Sequence, residues 1–149
     1  MTAVHLLDVN VLVALFDGDH VHHDAAHDWF TDHRADGWAT SVATESGFVR
    51  VVSNPAYGLE LRVVDAVTHL RRFCASGHHE FWPDAVPLRD DAAYRLELVR
   101  GYRQVTDVTL LALAVRMGGR LATFDRTIPV EAVAGSTREA LTVIGAVES

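Results

Sequence analysis

The sequence contains 149 residues, about the size of one domain, and its 49% hydrophobic and 22% charged residues are ordinary for a globular protein. All thirteen basic residues are arginines and twenty residues are acidic, so the net charge is −7. This balance argues against a protein that holds nucleic acid through a generally basic surface. A nucleic-acid function would need local arginine patches or bound cations.

The first long apolar run, HLLDVNVLVALF at residues 5–16, is not typical of a targeting segment. It is interrupted by Asp8 and Asn10 and is shorter than the roughly 20 residues that cross a membrane. No basic segment precedes it, as a secretory signal requires. We therefore expect a cytoplasmic protein with no membrane association.

Short apolar strands alternate with helical patterns along the chain. The predicted strands are 4–8, 38–40, 80–82, 120–124 and 141–145. The predicted helices begin at residue 9, cover 24–34, run from an N-cap at Ser41 through Val52, and cover 61–75, 90–102 and 106–117. This alternation predicts an α/β fold in which helices cover both faces of a parallel sheet.

The segment 61–75 has the clearest amphipathic pattern. Its predicted apolar face consists of Leu61, Val64, Val67 and Leu70. Cys74, the one cysteine, falls near the end of this segment and cannot form an internal disulfide. We interpret Cys74 as a small core residue.

Four acidic residues stand where strands end or helices begin. Asp8 and Asp125 each follow directly on an apolar strand, and Glu45 and Asp107 lie near predicted helix starts. Each has an ordinary structural explanation, since an acid in a first turn offsets the positive helix end and an Asp after a strand forms turns. However, the carboxyl ends of parallel strands meet at one edge of the sheet, where ligands bind in open α/β folds.

Convergence of these four carboxylates at that edge predicts a metal site. The carboxylates would repel one another strongly unless cations lay between them. Mg²⁺ and Mn²⁺ are the natural cations because they prefer oxygen ligands. Asn10, Thr106 and Thr123 are placed to orient the acids through hydrogen bonds. Such a site suits hydrolysis of a phosphodiester bond.

The segments LLDVNVLVALF, HHDAAHDWF, ATESGFVRVVSNP, VTDVTLLALA and LATFDR occur in this order over nearly the whole chain. Together they resemble the PIN-domain ribonucleases, and in particular the VapC toxins of bacterial toxin–antitoxin pairs. The resemblance implies a single PIN domain over residues 1–149. The implied fold is a PIN-like three-layer α/β/α sandwich with a central parallel sheet of four to five short strands.

The same resemblance implies an activity. Asp8, Glu45, Asp107 and Asp125 match the acidic quartet of the family, which binds Mg²⁺ or Mn²⁺ and cuts RNA by hydrolysis. The implied function is an endoribonuclease toxin acting on tRNA or ribosomal RNA. The implied partners are a second copy of the chain in a homodimer and a small antitoxin protein that covers the active-site groove in a hetero-oligomer.

Histidines support an alternative interpretation. His20, His22, His23 and His27 form a cluster, and the last two are spaced as a zinc pair on one helical face, although no Cys or HExxH pattern accompanies them. A histidine pair from this cluster, or from His78-His79, would instead cleave RNA without metal by general acid–base catalysis. Cleavage that resists chelators would identify this alternative.

Two further alternatives come from other classes of protein. A catalytically silent module would use the acids only to dock arginines of an antitoxin, but such docking does not need four acids at one sheet edge. A phosphatase of the haloacid dehalogenase type would need a second Asp two residues after the first, where this chain has Asn10.

Arginines are the expected contacts to RNA. Arg50 follows Glu45 by one and a half helical turns, and Arg126 follows the fourth acid, so both are expected at the rim of the site. Candidates for more distant phosphates are Arg71-Arg72, Arg100 and Arg103.

Overall fold

The computed structural model describes residues 3–83 and 85–145, and five strands within them form one sheet. The strands are β1 (His5–Leu7), β2 (Trp38–Thr40), β3 (His79–Phe81), β4 (Arg120–Thr123) and β5 (Leu141–Val143). Their order across the sheet is β3-β2-β1-β4-β5, and every neighbouring pair is parallel. The predicted parallel sheet of four to five short strands is confirmed.

Five α-helices accompany the strands: α1 (Val9–Phe16), α2 (His23–His33), α3 (Val42–Val52), α4 (Val63–Cys74) and α5 (Val105–Arg116). Successive strand residues point to opposite faces of the sheet. Leu6 and Leu121 accordingly pack in a hydrophobic cluster with α5, whereas Leu7 and Ala122 pack in a second cluster with α1, α3 and α4. The sheet is therefore the middle of three layers. No helix within the described residues is long and apolar enough to cross a membrane.

A single residue, Asp8, separates β1 from α1. Its backbone N–H donates to the carbonyl of Ala122 at 3.0 Å and so continues the ladder between β1 and β4. Its Oδ1 atom accepts a hydrogen bond from the N–H of Val9 at 2.7 Å and caps α1. The strand-to-helix turn thus explains in part why an acid interrupts the apolar run.

Helix α3 begins at the N-cap predicted from the sequence. Ser41 Oγ accepts from the N–H of Thr44 at 3.3 Å, and Thr44 Oγ1 accepts from the N–H of Ser41 at 2.9 Å. This reciprocal capping box satisfies two N–H groups at the helix start. It also fixes the position of Glu45 in the first turn of α3.

The prediction of a helix over 90–102 is wrong. The structure has turns, a short 3₁₀ helix at Leu96–Leu98 and an antiparallel bridge between Tyr94 and Val133. The N–H of Arg95 donates to the carbonyl of Ala132 at 2.8 Å, and the carbonyl of Ala93 accepts from Ala134 at 2.9 Å. These long-range backbone bonds replace the local helical ones, because tertiary contacts override helix propensity here.

The predicted apolar face of α4 is also partly wrong. Val64 is 57% exposed and Val63 is 59% exposed, whereas Ala66 and Leu70 are buried. Cys74 packs against the same core as Ala66 and Leu70, as expected, although it is only half-buried. The buried residues are therefore spaced by four along the helix, and Val63 and Val64 lie on the surface.

Helices α1 and α3 approach each other closely at Gly47. A Cβ atom placed there would lie 2.5 Å from Cγ2 of Val9, the residue after Asp8. We expect Gly47→Ala to displace Val9 and to lower the free energy of unfolding by about 1–3 kcal/mol, although Ala favours helix more than Gly does. Urea titration followed by circular dichroism measures this loss. The neighbouring exposed variant Ser46→Ala is the control and should change stability by less than about 0.5 kcal/mol.

We expect the stability of the fold to decrease in acid because of His5, which is buried in the central strand. Its Nε2 atom lies 3.0 Å from Thr142 Oγ1. Burial, followed by the charges of His33 and Arg120, lowers the pKa of His5 to about 4. An unfolded histidine has a pKa of about 6.5, so the unfolded chain binds more protons between these values and stability falls as pH drops through them.

We expect this one group to remove about 2 kcal/mol of stability between about pH 7 and about pH 5. Urea titrations of the protein and of His5→Gln at both pH values measure the difference, which should shrink in the variant. His27→Gln, at an exposed position, is the matched control. An equal pH dependence in His5→Gln and the unsubstituted protein would contradict the assignment.

Candidate active site

The carboxyl ends of β1 and β4 bring two of the predicted acids together. Asp8 directly follows β1, and its Oδ2 atom accepts a hydrogen bond from Thr123 Oγ1 at 2.8 Å. The N–H of Asp125 donates to the same hydroxyl oxygen at 3.1 Å. Thr123 therefore links the two acids, and the hydrogen bond expected of it is present.

Asp107 adds a third carboxylate at this edge from the first turn of α5. Burial, followed by the negative charges of Asp8 and Asp125, raises the pKa of Asp107 to about 7. Burial also raises the pKa of Asp8, with Asp125 adding to the effect and the bonds from Thr123 and Val9 opposing it. We call Asp8, Asp107 and Asp125 the aspartate cluster. Its carboxylates repel one another.

A helix cap does not explain Asp107. The N-cap position of α5 is Gln104, which makes no side-chain capping bond. Within residues 3–83 and 85–145, no hydrogen bond reaches the carboxylate of Asp107. A half-buried carboxylate without a donor is unfavourable unless a cation or ordered water satisfies it.

Glu45 has different neighbours. Its Oε2 atom accepts a hydrogen bond from Thr40 Oγ1 at 2.6 Å, and the same hydroxyl lies 2.8 Å from His79 Nε2. Burial, followed by the charge of Glu45, raises the pKa of the Cys74 thiol to about 11. This thiol is therefore neutral at physiological pH.

The four predicted acids thus divide into two surroundings. The causes of the raised pKa values of Asp8 and Asp107 include Asp125 but not Glu45. Glu45, Cys74 and His79 instead offer a carboxylate oxygen, a sulfur and an imidazole nitrogen that all lie within 4.8 Å of one another. Among the described residues, no three of the four acids approach one another as closely.

The open spacing of the aspartate cluster is compatible with a hard cation. Mg²⁺ keeps several of its waters and binds through one or two carboxylates rather than through a closed protein cage. All donors of the cluster are oxygens, which Mg²⁺ and Mn²⁺ prefer. The residues present therefore fit such an ion.

The remaining predicted polar residues lie outside this hydrogen-bond network. Asn10 and Thr106 are exposed, and in the described part of the chain no hydrogen bond joins their side chains to the four acids. Their orienting role stays a prediction. Arg126 is exposed next to Asp125, and Arg50 lines a depression of 570 Å³ together with Glu45.

The early histidines contribute to packing around the start of α2. His22 stacks on Phe124 with ring centroids 4.5 Å apart, and His23 Nδ1 lies 2.7 Å from the carbonyl oxygen of Ala14. The rings of His23 and His27 are 6.0 Å apart. Across the residues that the structure describes, none of these histidines belongs to a group of three potential metal ligands. The zinc-pair interpretation gains no support.

An exposed cationic surface adjoins the aspartate cluster. The sequence predicted its arginines as phosphate contacts but not its aromatic residue. Arg100, Arg103 and Tyr102 line a depression of 520 Å³ that also includes Asp125. Tyr102 is 80% exposed, and the guanidinium carbon of Arg103 lies 5.7 Å from the centre of its ring. Arginines and an exposed aromatic ring are the groups that bind single-stranded nucleic acid. The aromatic residue beside the two arginines was the signal in the sequence that could have identified this surface.

Comparison with known proteins agrees with this architecture. Residues 5–133 match the model of the PIN domain, and the chain belongs to the PIN domain family. It is 43% identical to Ribonuclease VapC44 of Mycobacterium tuberculosis over 139 residues. These residues cover 93% of this chain and 98% of that protein. It is 46% identical over 136 residues to Ribonuclease VapC39 of the same organism, with coverage of 91% and 96%.

A third relative is Ribonuclease VapC38 of Mycobacterium tuberculosis, 49% identical over 121 residues, with coverage of 80% of this chain and 84% of that protein. The family inferred from the ordered sequence segments is therefore confirmed.

Proposed function

We propose that the protein is an endoribonuclease toxin of the VapC type, which hydrolyses phosphodiester bonds of tRNA or ribosomal RNA with Mg²⁺ or Mn²⁺ as cofactor. The observation that carries this proposal is the convergence of Asp8, Asp107 and Asp125 at the carboxyl ends of β1 and β4, where burial, followed by the charges of Asp8 and Asp125, raises the pKa of Asp107 to about 7. The relatives named Ribonuclease VapC support RNA as the substrate. A single PIN domain over residues 1–149 is part of the proposal.

Hydrogen bonds orient two of the three carboxylates of the aspartate cluster. Both oxygens of Asp8 accept bonds, from Val9 and Thr123, so its carboxylate is held in one orientation. Asp125 Oδ1 accepts from the N–H and the hydroxyl of Thr127 at 2.7 and 2.6 Å, which leaves Oδ2 for a ligand. Asp8, Asp107 and Asp125 would hold a divalent cation, which would supply positive charge for hydrolysis of the phosphodiester bond. Glu45, in the first turn of α3, provides a fourth carboxylate near the end of β2.

RNA binding by a chain with net charge −7 depends on local features. Arg126 and the pair Arg100 and Arg103 lie on the side of Asp125, and Arg50 lies on the side of Glu45. Phosphate contacts of this kind fix the position of the RNA but do not select its sequence. Removal of one such arginine should therefore weaken binding without moving the cleavage site.

Tyr102 is expected to stack on an RNA base. Stacking of a base on an aromatic side chain contributes about 1–3 kcal/mol, so Tyr102→Ala should weaken binding roughly tenfold. Because the side chain is 80% exposed, the free energy of unfolding should not change. Fluorescence anisotropy with labelled single-stranded RNA in EDTA measures the affinity. Tyr102→Phe keeps the ring and should bind normally; equal loss in both variants would contradict stacking.

The surface around Glu45 supports the proposed protein partners. Val42, Val63 and Phe81 line the same depression as Glu45 and are 66%, 59% and 44% exposed. An apolar surface of this kind next to an acidic site suits a protein partner more than a polyanion. It supports a small antitoxin that covers the site, with assembly into a homodimer and a toxin–antitoxin hetero-oligomer. The proposed location is the cytoplasm.

Incubation of the purified, antitoxin-free protein with total bacterial RNA tests the function. Discrete cleavage is expected with Mg²⁺ or Mn²⁺ and should be absent in EDTA, because the aspartate cluster acts through a cation. Sequencing of the fragment ends identifies the RNA that is cut. Cleavage that persists in EDTA would assign the chemistry to the histidines. Absence of cleavage in every metal would favour the silent docking module.

A further inference from the structure

We propose that Glu45, Cys74 and His79 form a binding site for a thiophilic divalent cation of the Zn²⁺ type, distinct from the aspartate cluster. The three ligands come from α3, α4 and β3, elements that are separate in sequence and meet beside the end of β2. A second part of the inference, which rests on the proposed nuclease function, is that occupation of this site slows RNA cleavage by engaging Glu45.

The spacing of the three donor atoms suits a small cation. They all lie within 4.8 Å of one another. Bond lengths of 2.0–2.3 Å in tetrahedral zinc sites place neighbouring ligand atoms about 3.5 Å apart. Small side-chain rotations therefore bring the three atoms to bonding distance, and the fourth position remains open to water.

The chemistry of the donors separates this site from the aspartate cluster. Sulfur and imidazole nitrogen prefer Zn²⁺ and similar ions, whereas Mg²⁺ and Ca²⁺ prefer oxygen alone. Binding converts the Cys74 thiol to a metal-bound thiolate, and the displaced proton passes to solvent. No oxidant or reductant is needed.

The surroundings orient the ligands and leave them accessible. Thr40 is fully buried, and its hydroxyl contacts both Glu45 and His79 at 2.6 and 2.8 Å. Hydrogen bonds of this kind set the orientation of metal ligands. Glu45, Cys74 and His79 are each half-buried rather than fully enclosed, and Glu45 lines the depression of 570 Å³ on the protein surface.

Co²⁺ titration of the full chain under reducing conditions tests the site. A thiolate bound to Co²⁺ gives an intense sulfur-to-metal charge-transfer band in the near ultraviolet. Because the chain has one cysteine, this band reports Cys74 alone. We expect the band to saturate at one equivalent and to disappear when Zn²⁺ displaces Co²⁺.

Two variants test individual ligands, and two others serve as controls. Cys74→Ser should lose the band, and His79→Gln should weaken Co²⁺ binding at least about tenfold, since each removes one ligand. His27→Gln and Asp107→Asn should retain the band, because they lie in the early histidine cluster and the aspartate cluster. Co²⁺ uptake without a sulfur band, or a band unaffected by His79→Gln, would overturn the proposal.

The effect on cleavage is measured separately. One equivalent of Zn²⁺ should slow Mg²⁺-supported cleavage by the unsubstituted protein, and the ratio of rates with and without Zn²⁺ should return toward one in Cys74→Ser. Unchanged cleavage with the site filled would refute the inhibitory part. A protein that cuts no RNA in Mg²⁺ would refute the proposed function, and the Co²⁺ spectrum would still decide whether the site exists.

Discussion

Asp8→Asn is expected to reduce Mg²⁺-supported RNA cleavage by about 10³-fold, because the amide has no charge to bind the cation that stabilises the transition state. The fold should survive, since Asn caps helices about as well as Asp and can still cap α1. Initial cleavage rates at saturating RNA, together with circular dichroism of both proteins, measure these two effects.

The matched control is Asp28→Asn, on an exposed position of α2. It removes the same charge from the chain without touching the aspartate cluster, and its cleavage rate should equal that of the unsubstituted protein. A rate for Asp8→Asn within a few-fold of this control would contradict a catalytic role for Asp8.

Asp107→Asn is expected to abolish cleavage and yet to stabilise the metal-free protein at pH 8. The pKa of Asp107 is raised from 3.8 to about 7 in the folded protein. The folded state therefore binds more protons than the unfolded state between these values, and stability falls as pH rises through them. At pH 8 this penalty is fully present, and the amide removes it. Because Asp107 is partly exposed, we expect a gain of about 1–2 kcal/mol.

Urea titrations in EDTA at about pH 4 and at pH 8 measure this gain, which should be small at the lower pH. Addition of Mg²⁺ provides an internal control, since an ion that binds only the folded state raises its stability. Mg²⁺ should stabilise the unsubstituted protein more than Asp107→Asn. A variant less stable than the unsubstituted protein at pH 8 would contradict the raised pKa of Asp107.

The sheet was predictable because its strands are short apolar runs with clear ends. The runs ending at Asp8 and Asp125 indicated both the strands and the edge at which the acids lie. The stretch 90–102 was not predictable in the same way, because its backbone pairs with residues near Val133. A local helical pattern contains no information about such a distant partner.

The candidate site was predictable to a similar degree. Strand ends and helix starts identified the aspartate cluster, and the strand pattern indicated that Thr123 lies beside it. The surroundings of Glu45 were not predictable, since Cys74 and His79 reach it from separate elements. Their approach depends on how α4 packs and on which strand lies next to β2, neither of which can be read from the spacing of residues along the chain.

The pairing of β1 with β4 has a consequence for how the protein is made. Asp8 and its hydroxyl partner Thr123 are 115 positions apart, and β1 lies in the middle of the sheet between β2 and β4. A ribosome therefore synthesises Asp8 well before the strand that carries its partner. Any chain terminated or cleaved before β4 lacks an assembled aspartate cluster, so the proposed activity arises only after β4 has been synthesised.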